Sequence, residues 1–336
     1  MKLLYIGQFT PGTTSRMRGE TLRSVLKPEQ FDVADIHIPF FSTSRLFRSL
    51  GFRFKKGPLI WKINQYVMAQ AGSHYDLIWV DKGVFVTAET LKQLRQRATT
   101  LVHYTPDTAF YENSSDHFFR ALPLYDYVIT TKSFDLERYK QLVAVEKMLY
   151  VPQGFDKTLH YSRNRFEDKE PYVAFIGLNE PSREQVVTAL LQNGIPVRLA
   201  GKGWQRYVAN NRLEGLEFLG ESLVSEAYVT VISEAMFSLG LLSKRFPELH
   251  TTRTFEIPAC GTALLTERNA ETAHYYSEDE VIFYETPSDL IEKIRYYLSN
   301  PSELKALTLR GYQKVHAQGF DYQSQLALLC EKMGLR

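Results

Sequence analysis

The stretch His250-Thr-Thr-Arg-Thr-Phe-Glu-Ile-Pro-Ala-Cys-Gly-Thr-Ala-Leu-Leu-Thr-Glu267 predicts a short helix, a glycine and then a buried strand. Thr251 or Thr252 is a suitable N-cap residue, and Gly261 suits the left-handed position that often follows a helix. The apolar run after Gly261 favours a parallel strand that is covered on both faces. The segment therefore predicts one helix–strand unit of an open parallel sheet.

The rest of the chain repeats this pattern on both sides of the quoted stretch. The predicted strands are residues 3–7, 31–36, 76–81, 99–103 and 127–131 in the first half, and 172–176, 197–200, 217–219, 237–241, 262–266 and 281–284 in the second. Amphipathic stretches separate them, for example at residues 16–26, 182–193 and 302–318. Parallel strands joined by right-handed helical crossovers form doubly wound sheets. The sequence therefore predicts an α/β protein.

The length of 336 residues favours two domains. Pro152 and Gly154, and the polar stretch 161–170 that follows them, are typical of a linker. We expect residues 1–160 and residues 161–318 to form one domain each, and residues 319–336 to form a helix that crosses back to the first domain. The expected fold is two Rossmann-like domains facing a cleft, where ligands of open α/β sheets bind.

Composition excludes several classes of protein. The formal net charge is only +2, so a strong polyanion partner is not indicated. The two cysteines, Cys260 and Cys330, have neither a zinc-ligand spacing nor the numbers for a disulfide framework. The N-terminal sequence is not typical of a signal peptide, and no apolar stretch approaches the about 18 residues of a membrane span. We expect a cytoplasmic protein, peripheral at most to the inner face of the membrane.

Several residues near predicted strand ends are candidates for binding a phosphate group. The helix start at Thr251 and Thr252 offers free backbone N–H groups. Glu256, about one turn further on, is placed to accept hydrogen bonds from ribose hydroxyls. Arg253, with Arg183 and Lys202 after the first two strands of the second half, supplies cations for a diphosphate, and Gly177 opens the first turn. These residues together predict a nucleotide site. The alternative for each of the three cations is an ordinary surface side chain in contact with water.

The segment Arg253-x-Phe-Glu256, followed by Ala259-Cys-Gly261 and a strand ending in Thr266-Glu267, resembles the donor-site helix of CgeB-type (spore-maturation) glycosyltransferases of the GT-B clan. The similarity continues through residues 282–284, 290–298, 300–301 and 310–312, and in the first half at 125–130 and 151–156. It covers most of the chain, and the first 60 residues match least. The resemblance implies transfer of a sugar from a nucleoside-diphosphate sugar to a hydroxyl of a glycan, lipid-linked or protein acceptor, without a cofactor.

In related retaining enzymes, two glutamates separated by seven residues line the donor. Glu248 and Glu256 have this spacing, so the resemblance implies that Glu256 holds the ribose and Glu248 approaches the transferred sugar. The spacing favours retention, although Leu249-His250-Thr251 replaces the usual glycine-rich turn and a solvated Glu248 is the alternative. Because the chain has no Asp-x-Asp motif, we expect a metal-independent reaction.

The first half contributes candidates for the acceptor side. In enzymes of this clan the turn that contains Gly12 lies beside the donor phosphates and the acceptor, where Arg16 or Arg18 could make contacts, unless these are only exposed helix-start residues. His103 and Asp107 follow a predicted strand and are candidates for a general base or an acceptor-orienting group. If the reaction retains configuration, the leaving phosphate takes the proton and Asp107 only orients the acceptor. A plain turn is the alternative for Asp107.

Residues 45–56 contain five cations, no acidic residue and interleaved aromatics. Such a segment could contact an anionic membrane that carries a lipid-linked acceptor, line the acceptor cleft, or be a loop with buried phenylalanines. A nucleic-acid partner is not expected, because no recognised module accompanies the segment.

Two other functions stay open for the chain as a whole: a nucleotide-sugar epimerase of the same fold, and a non-catalytic carbohydrate-binding or coat-associated protein.

Overall fold

The computed structural model describes residues 1–111 and 114–335, and the chain forms two compact units. The first unit contains residues 1–152 and 325–336, and the second contains residues 153–324. Each unit is built around its own six-stranded sheet, in which the paired strands run parallel. The predicted α/β class is therefore confirmed.

The first unit has the strand order β2-β1-β3-β4-β5-β6. Its strands are β1 (Lys2–Gly7), β2 (Gln30–Asp35), β3 (Tyr75–Asp81), β4 (Ala98–Thr105), β5 (Tyr127–Thr130) and β6 (Met148–Tyr150). Its helices are α1 (Thr14–Leu26), α2 (His37–Ser42), α3 (Arg45–Phe54), α4 (Pro58–Gln70), α5 (Ala88–Arg95), α6 (Asp116–Ala121) and α7 (Leu136–Lys140). The central strands are buried along most of their length, which explains why they are apolar throughout instead of alternating with polar residues.

The second unit has the order β12-β11-β10-β7-β8-β9, which is the strand order of Rossmann sheets. Its strands are β7 (Glu170–Ile176), β8 (Val197–Ala200), β9 (Leu216–Phe218), β10 (Ala235–Leu239), β11 (Ala263–Glu267) and β12 (Ile282–Tyr284). Its helices are α8 (Pro181–Gln192), α9 (Gln205–Asn210), α10 (Ser225–Glu234), α11 (Arg253–Ala259), α12 (Thr272–Tyr275), α13 (Pro287–Ser299) and α14 (Pro301–Ala317). The last helix, α15 (Tyr322–Lys332), begins in this unit and continues into the residues of the first.

The helix–strand unit predicted from the quoted stretch is present. Helix α11 ends at Ala259, and Gly261 has a φ of 68°, which is the left-handed conformation expected there. The ideal Cβ position of Gly261 lies 2.7 Å from the side-chain oxygen of Ser162, so a larger residue would be crowded as well as strained. Strand β11 starts two residues later and is buried at four of its five positions.

The polar stretch predicted as a linker contains a buried lysine. The Nζ atom of Lys169 donates hydrogen bonds to the main-chain oxygen of Ser233 and, at 3.0 Å, to the hydroxyl of Thr262. Burial lowers the pKa of Lys169 to about 8. This end of the stretch is therefore attached to the end of helix α10 and to the residue before β11. The aliphatic chain of a lysine can be buried in this way when its ammonium group finds oxygen partners.

Candidate active site

The strand order of the second unit determines where a ligand can bind. The connections leave β7 in opposite directions, toward β8 on one side and β10 on the other, so the switch point lies between β7 and β10. Ligands of open α/β sheets bind at the carboxyl ends of the strands at such a point. The residues to consider are therefore those that follow Ile176 and Leu239, which end β7 and β10.

Two arginine side chains are held at these strand ends. The Nη1 atom of Arg253 donates to the main-chain oxygen of Ile176 over 3.0 Å. The Nη1 atom of Arg183 donates to the oxygen of Leu178 over 3.0 Å, and its Nη2 atom donates to that of Leu241 over 3.4 Å. The main chain of β7 and β10 thus positions two guanidinium groups at the switch point. The sequence predicts Arg183 after a strand end and Arg253 at the start of a helix.

Two carboxylates accompany the arginines. Glu180 is buried, and its Oε1 atom lies 3.4 Å from Arg183 while its Oε2 atom accepts from the Ser243 hydroxyl over 3.1 Å. Glu248 accepts from the main-chain N–H of Ser243 over 2.9 Å. Both acids therefore stabilise the turn after β10. Glu248 is accordingly engaged in a protein contact, and its predicted contact with a transferred sugar stays a prediction.

The charge at the switch point favours an anion. Burial lowers the pKa of Arg183, and the neighbouring Arg253 lowers it further, whereas Glu180 and Glu248 act in the opposite sense. The Nε atoms of Arg183 and Arg253 are buried and have no hydrogen-bond partner among the residues that the structure describes. An anion that accepts from these donors would reduce the repulsion between the two cations.

The turn after β7 is packed against the turn after β8. A Cβ atom at Gly201 would lie 1.9 Å from the main-chain oxygen of Gly177. A Cβ at Gly177 would lie 2.9 Å from the ring of Phe175, so glycine makes room for that ring, whereas the guanidinium carbon of Arg253 would be at an ordinary contact distance of 3.5 Å. The N–H of Gly177 donates to the main-chain oxygen of Ala200. This N–H is therefore already bonded, and the role of Gly177 is to let the neighbouring groups pack closely. Lys202 also lies in this region with an exposed side chain, and its main-chain oxygen accepts from Asn179.

Glu256 is 6% exposed and lies on helix α11. Its Oε2 atom accepts from the Tyr228 hydroxyl over 2.8 Å, and its Oε1 atom lies 3.7 Å from the Nε2 atom of His160. Arg253 is close enough to Tyr228 to lower the pKa of that phenol, although burial and Glu256 raise it overall. Glu256 thus occupies a pocket of polar groups one turn beyond Arg253, and its contact with a ribose stays a prediction.

The predicted caps of helix α11 differ from the structure. Thr252 occupies the N-cap position but has helical backbone angles and makes no side-chain cap hydrogen bond. The N–H of Thr251 donates instead to the Thr254 hydroxyl over 3.1 Å, while the buried Oγ1 atom of Thr251 has no partner in the described part of the chain. Thr252 therefore does not cap the helix with its side chain. The hydroxyl of Thr254, inside the first turn, instead accepts from the N–H of Thr251.

In the first unit, the turn predicted to approach the donor precedes helix α1. Gly12 has a φ of 84°, which explains the glycine, and Thr13 caps the helix by accepting from the N–H of Arg16. The guanidinium of Arg16 lies 5.6 Å above the ring of Phe9 and is partly exposed, so it can still contact a ligand. Arg18 cannot, because it is buried and forms two hydrogen bonds with Asp81. That part of the prediction is wrong.

His103 does not lie at a strand end. It is fully buried inside β4, against the rings of Phe118 and Tyr125. Burial lowers its pKa to about 4, with a small opposing effect of Asp81. A side chain without solvent contact cannot take a proton from an acceptor in this structure. The hypothesis that His103 is a base is therefore corrected, because β4 continues for two residues beyond the predicted end.

Asp107 lies at the carboxyl edge of the first sheet and is partly exposed. Its Oδ2 atom is 2.9 Å from the Nζ atom of Lys82. Burial alone would raise the pKa of Asp107, but Lys82, Lys132 and Arg18 outweigh it, and the pKa lies below its ordinary value. A carboxylate with a lowered pKa is a weak general base and a good hydrogen-bond acceptor. The geometry therefore favours the orienting role over the proton-accepting role.

Sequence reasoning missed four residues of the second unit. These are Glu180, Ser243, Tyr228 and His160. Glu180 lies in the same turn as Gly177, so its position after β7 was an available signal. The other three come from segments without a strand-end motif, and only the folded chain brings them to this region.

The described residues include no cluster of three or more His, Cys, Asp or Glu side chains arranged to hold a metal ion. Within residues 1–111 and 114–335, no helix has both the length and the apolar character that crossing a bilayer requires.

Comparison with known proteins agrees with this architecture. Residues 183–331 match the model of a glycosyl transferase-like family. The spore protein CgeB of Bacillus subtilis is 24% identical over 216 residues, which cover 60% of this chain and 67% of CgeB. HepE of Anabaena, solved with UDP and glucose, has 17% identity and a TM-score of 0.66 over 99% of both chains. Sucrose-phosphate synthase of Thermosynechococcus elongatus has 16% identity and a TM-score of 0.69, covering 99% of this chain and 98% of that one. The chain thus has the GT-B fold, matches a glycosyl transferase-like family over residues 183–331, and is similar to the spore protein CgeB.

Proposed function

We propose that the protein transfers a sugar from a nucleoside-diphosphate sugar to a hydroxyl acceptor, and that Arg183 and Arg253 hold the diphosphate. The observation that supports this proposal best is the placement of both guanidinium groups by main-chain oxygens at the switch point. Guanidinium groups bind phosphate oxygens through paired N–H donors. Negative charge develops on the departing diphosphate during transfer, and fixed cations at that place stabilise the transition state.

The donor is a uridine diphosphate sugar in this proposal. HepE, which has the same fold, has been solved with UDP and with UDP-glucose. Glu256 holds the ribose hydroxyls, because a carboxylate is acceptor-only and a ribose offers donors. Its contact with Tyr228 fixes Oε2, and in this proposal the ribose donates to Oε1, which lies 3.7 Å from the Nε2 atom of His160. The exposed side chain of Lys202 and the partly exposed Arg16 are further candidates for donor contacts.

The reaction proceeds with retention and without a metal ion in this proposal. The acceptor oxygen bonds to the anomeric carbon while the bond from that carbon to the diphosphate breaks, and the acceptor proton goes to the departing phosphate. The arginines supply the positive charge that a metal would otherwise provide. Asp107 orients a hydroxyl of the glycan or lipid-linked acceptor, which agrees with its lowered pKa. Glu248 approaches the transferred sugar from the turn after β10.

Nucleotide release tests the proposal against an epimerase. The purified protein is incubated with UDP-glucose, UDP-galactose, UDP-N-acetylglucosamine or GDP-mannose, with and without a set of octyl glycosides. Nucleotide is measured by a coupled assay and the remaining donor by proton NMR. We expect release of UDP that increases with an octyl glycoside and is lost in Arg253→Met. An isomerised sugar nucleotide without release would identify an epimerase, and no turnover or binding of any donor would support a non-catalytic protein.

A further inference from the structure

Helix α3 carries an apolar face that the described residues leave exposed. Leu46, Phe47, Leu50 and Phe54 are 66%, 46%, 44% and 58% exposed. At 100° per residue these four positions fall within an arc of about 100° on one side of the helix. One interpretation of the sequence is that the phenylalanines of this segment are buried. The structure excludes that interpretation for Phe47 and Phe54, which are exposed.

A position beside this apolar face fastens helix α3 to the unit. Gly51 is buried against α4, and a Cβ atom there would lie 2.5 Å from the Cβ atom of Leu59. Such a close approach fixes which face of α3 points inward, so the exposure of the apolar face follows from the packing. Further apolar side chains of the neighbouring helices α2 and α4 are also exposed: Ile38, Phe41 and Trp61. Contiguous apolar surface of this kind marks a binding surface.

The chain segment that carries this apolar face has charged residues of one sign. Residues 36–75 contain no acidic residue, and their six cations are Arg45, Arg48, Arg53, Lys55, Lys56 and Lys62. The structure leaves Arg45, Arg53, Lys56 and Lys62 exposed. A helix that combines exposed Leu and Phe with a fringe of Arg and Lys has the composition of one that lies in the plane of an anionic membrane.

A basic pocket adjoins the C-terminal end of α3. It has a volume of about 450 Å³ and is lined by Arg53, Phe54, Lys55, Lys56, Ser114, Ser115, Asp116, His117 and Arg120. The His117 ring hydrogen-bonds to the main-chain oxygen of Lys55 over 2.9 Å, which joins α6 to the end of α3. Among the described residues of the lining, Asp116 is the single acidic one, and it faces four basic ones: Arg53, Lys55, Lys56 and Arg120. The pocket therefore suits an anion.

We propose that the first unit docks on an anionic phospholipid bilayer through helix α3, with a lipid phosphate in the adjoining basic pocket. The apolar side chains enter the boundary between headgroups and acyl chains, and the surrounding cations face the headgroups. Phe54 belongs to both the apolar face and the pocket lining, so the two proposed contacts adjoin each other. The inference does not depend on the proposed transfer reaction.

Vesicle flotation tests this proposal with the complete chain. Vesicles of phosphatidylcholine alone are compared with vesicles made of equal parts of phosphatidylcholine and phosphatidylglycerol. Both kinds are tested at low and at high salt. We expect binding to the anionic vesicles only, weakened by salt. The double variant Leu46→Ser with Leu50→Ser should bind more weakly by about tenfold or more. The matched control, Leu309→Ser with Leu328→Ser, changes two equally exposed leucines elsewhere and should bind like the wild type.

The pocket has its own variant. Lys56→Gln with Arg120→Gln should weaken binding to anionic vesicles by about twenty-five-fold, because each basic residue at such a surface contributes roughly a factor of five. Equal binding to both kinds of vesicle would contradict the anionic surface, and an unchanged pocket variant would contradict the lipid phosphate. If the wild type does not float and the Leu46/Leu50 variant dissociates a dimer in sedimentation, the apolar face binds a second copy and the proposal is wrong.

Discussion

The guanidinium of Arg253 lies 3.0 Å from the main-chain oxygen of Ile176, the residue that ends β7. Because the partner is a backbone carbonyl, the position of this charge is determined by the sheet and by helix α11. Gly177, the next residue, has no side chain to displace it. A cation is thus fixed at the switch point of a Rossmann-ordered sheet before any ligand binds, which is the arrangement that preorganised binding of a diphosphate requires.

Glu256 is expected to recognise the ribose. Glu256→Gln should weaken binding of UDP by about ten- to a hundredfold, since hydrogen bonds to a charged acceptor contribute about 1.5–3 kcal/mol. Binding of inorganic pyrophosphate should stay unchanged. Isothermal titration with UDP, with its 2′,3′-dideoxy analogue and with pyrophosphate checks this, and Tyr228→Phe serves as a control that retains the carboxylate. If the wild type does not distinguish UDP from the dideoxy analogue, Glu256 does not hold the ribose.

His103 is expected to affect acid stability and not catalysis. The pKa of its ring is about 4 in the folded chain and about 6.5 when unfolded. As the pH falls from 6.5 to 4 the unfolded chain takes up a proton that the folded chain does not, so up to about 3 kcal/mol of stability is lost. In His103→Leu, urea unfolding should show a smaller loss over this range, with transfer activity intact. The exposed His274→Leu should behave like the wild type. Loss of activity in folded His103→Leu would restore the catalytic hypothesis.

Lys169 is expected to affect stability in alkaline solution. Its pKa is about 8 when folded and 10.5 when unfolded, so between these values the unfolded chain binds the additional proton. Stability contributed through this group therefore rises with pH from 8 to 10.5, by up to about 3 kcal/mol. The free energy of unfolding of the wild type minus that of Lys169→Met should increase over this window. The same difference for Lys305→Met, an exposed lysine, should stay flat. A flat difference for both variants would show that Lys169 is not buried as described.

Gly201 is expected to be needed for the packing of the two turns at the switch point. Its φ is 140°, and a Cβ atom would lie 1.9 Å from the oxygen of Gly177. Gly220 has a φ of 109° but no atom within 4 Å of its Cβ position, so it is a control for backbone strain alone. Gly201→Ala should lower the free energy of unfolding by at least about 2 kcal/mol more than Gly220→Ala. Equal losses in chemical unfolding would contradict the close approach.

The sheets were predictable because buried parallel strands are apolar along their whole length. Strand β6 was not predicted, since its three half-buried residues form the edge of the sheet and lack such a run. Helices α2 to α4 were not predicted either. In α3 the apolar residues point outward, so the usual relation between an apolar face and the core does not hold for Leu46 and Phe54.

The candidate site was predictable only in part. Arg183 could be located because strand ends follow from the apolar pattern, and Arg253 because the stretch 250–267 has the pattern of a helix, a glycine and a buried strand. His103 was misplaced because β4 is longer than its most apolar part, which moved the residue from the strand end into the core. The contacts of Glu180 with Ser243 and of Glu256 with Tyr228 join segments that are 63 and 28 residues apart, and no local pattern encodes such pairs.

Titration of UDP into wild-type protein and into Arg253→Met tests the central claim most directly, with Arg206→Met, an exposed arginine of the same unit, as the control. The account predicts one UDP per chain for the wild type and for Arg206→Met. It predicts affinity lower by about tenfold or more for Arg253→Met, whose circular dichroism should be unchanged. Equal affinity in a folded Arg253→Met, or no heat of binding to the wild type from UDP, GDP, dTDP, CDP or ADP, would contradict it.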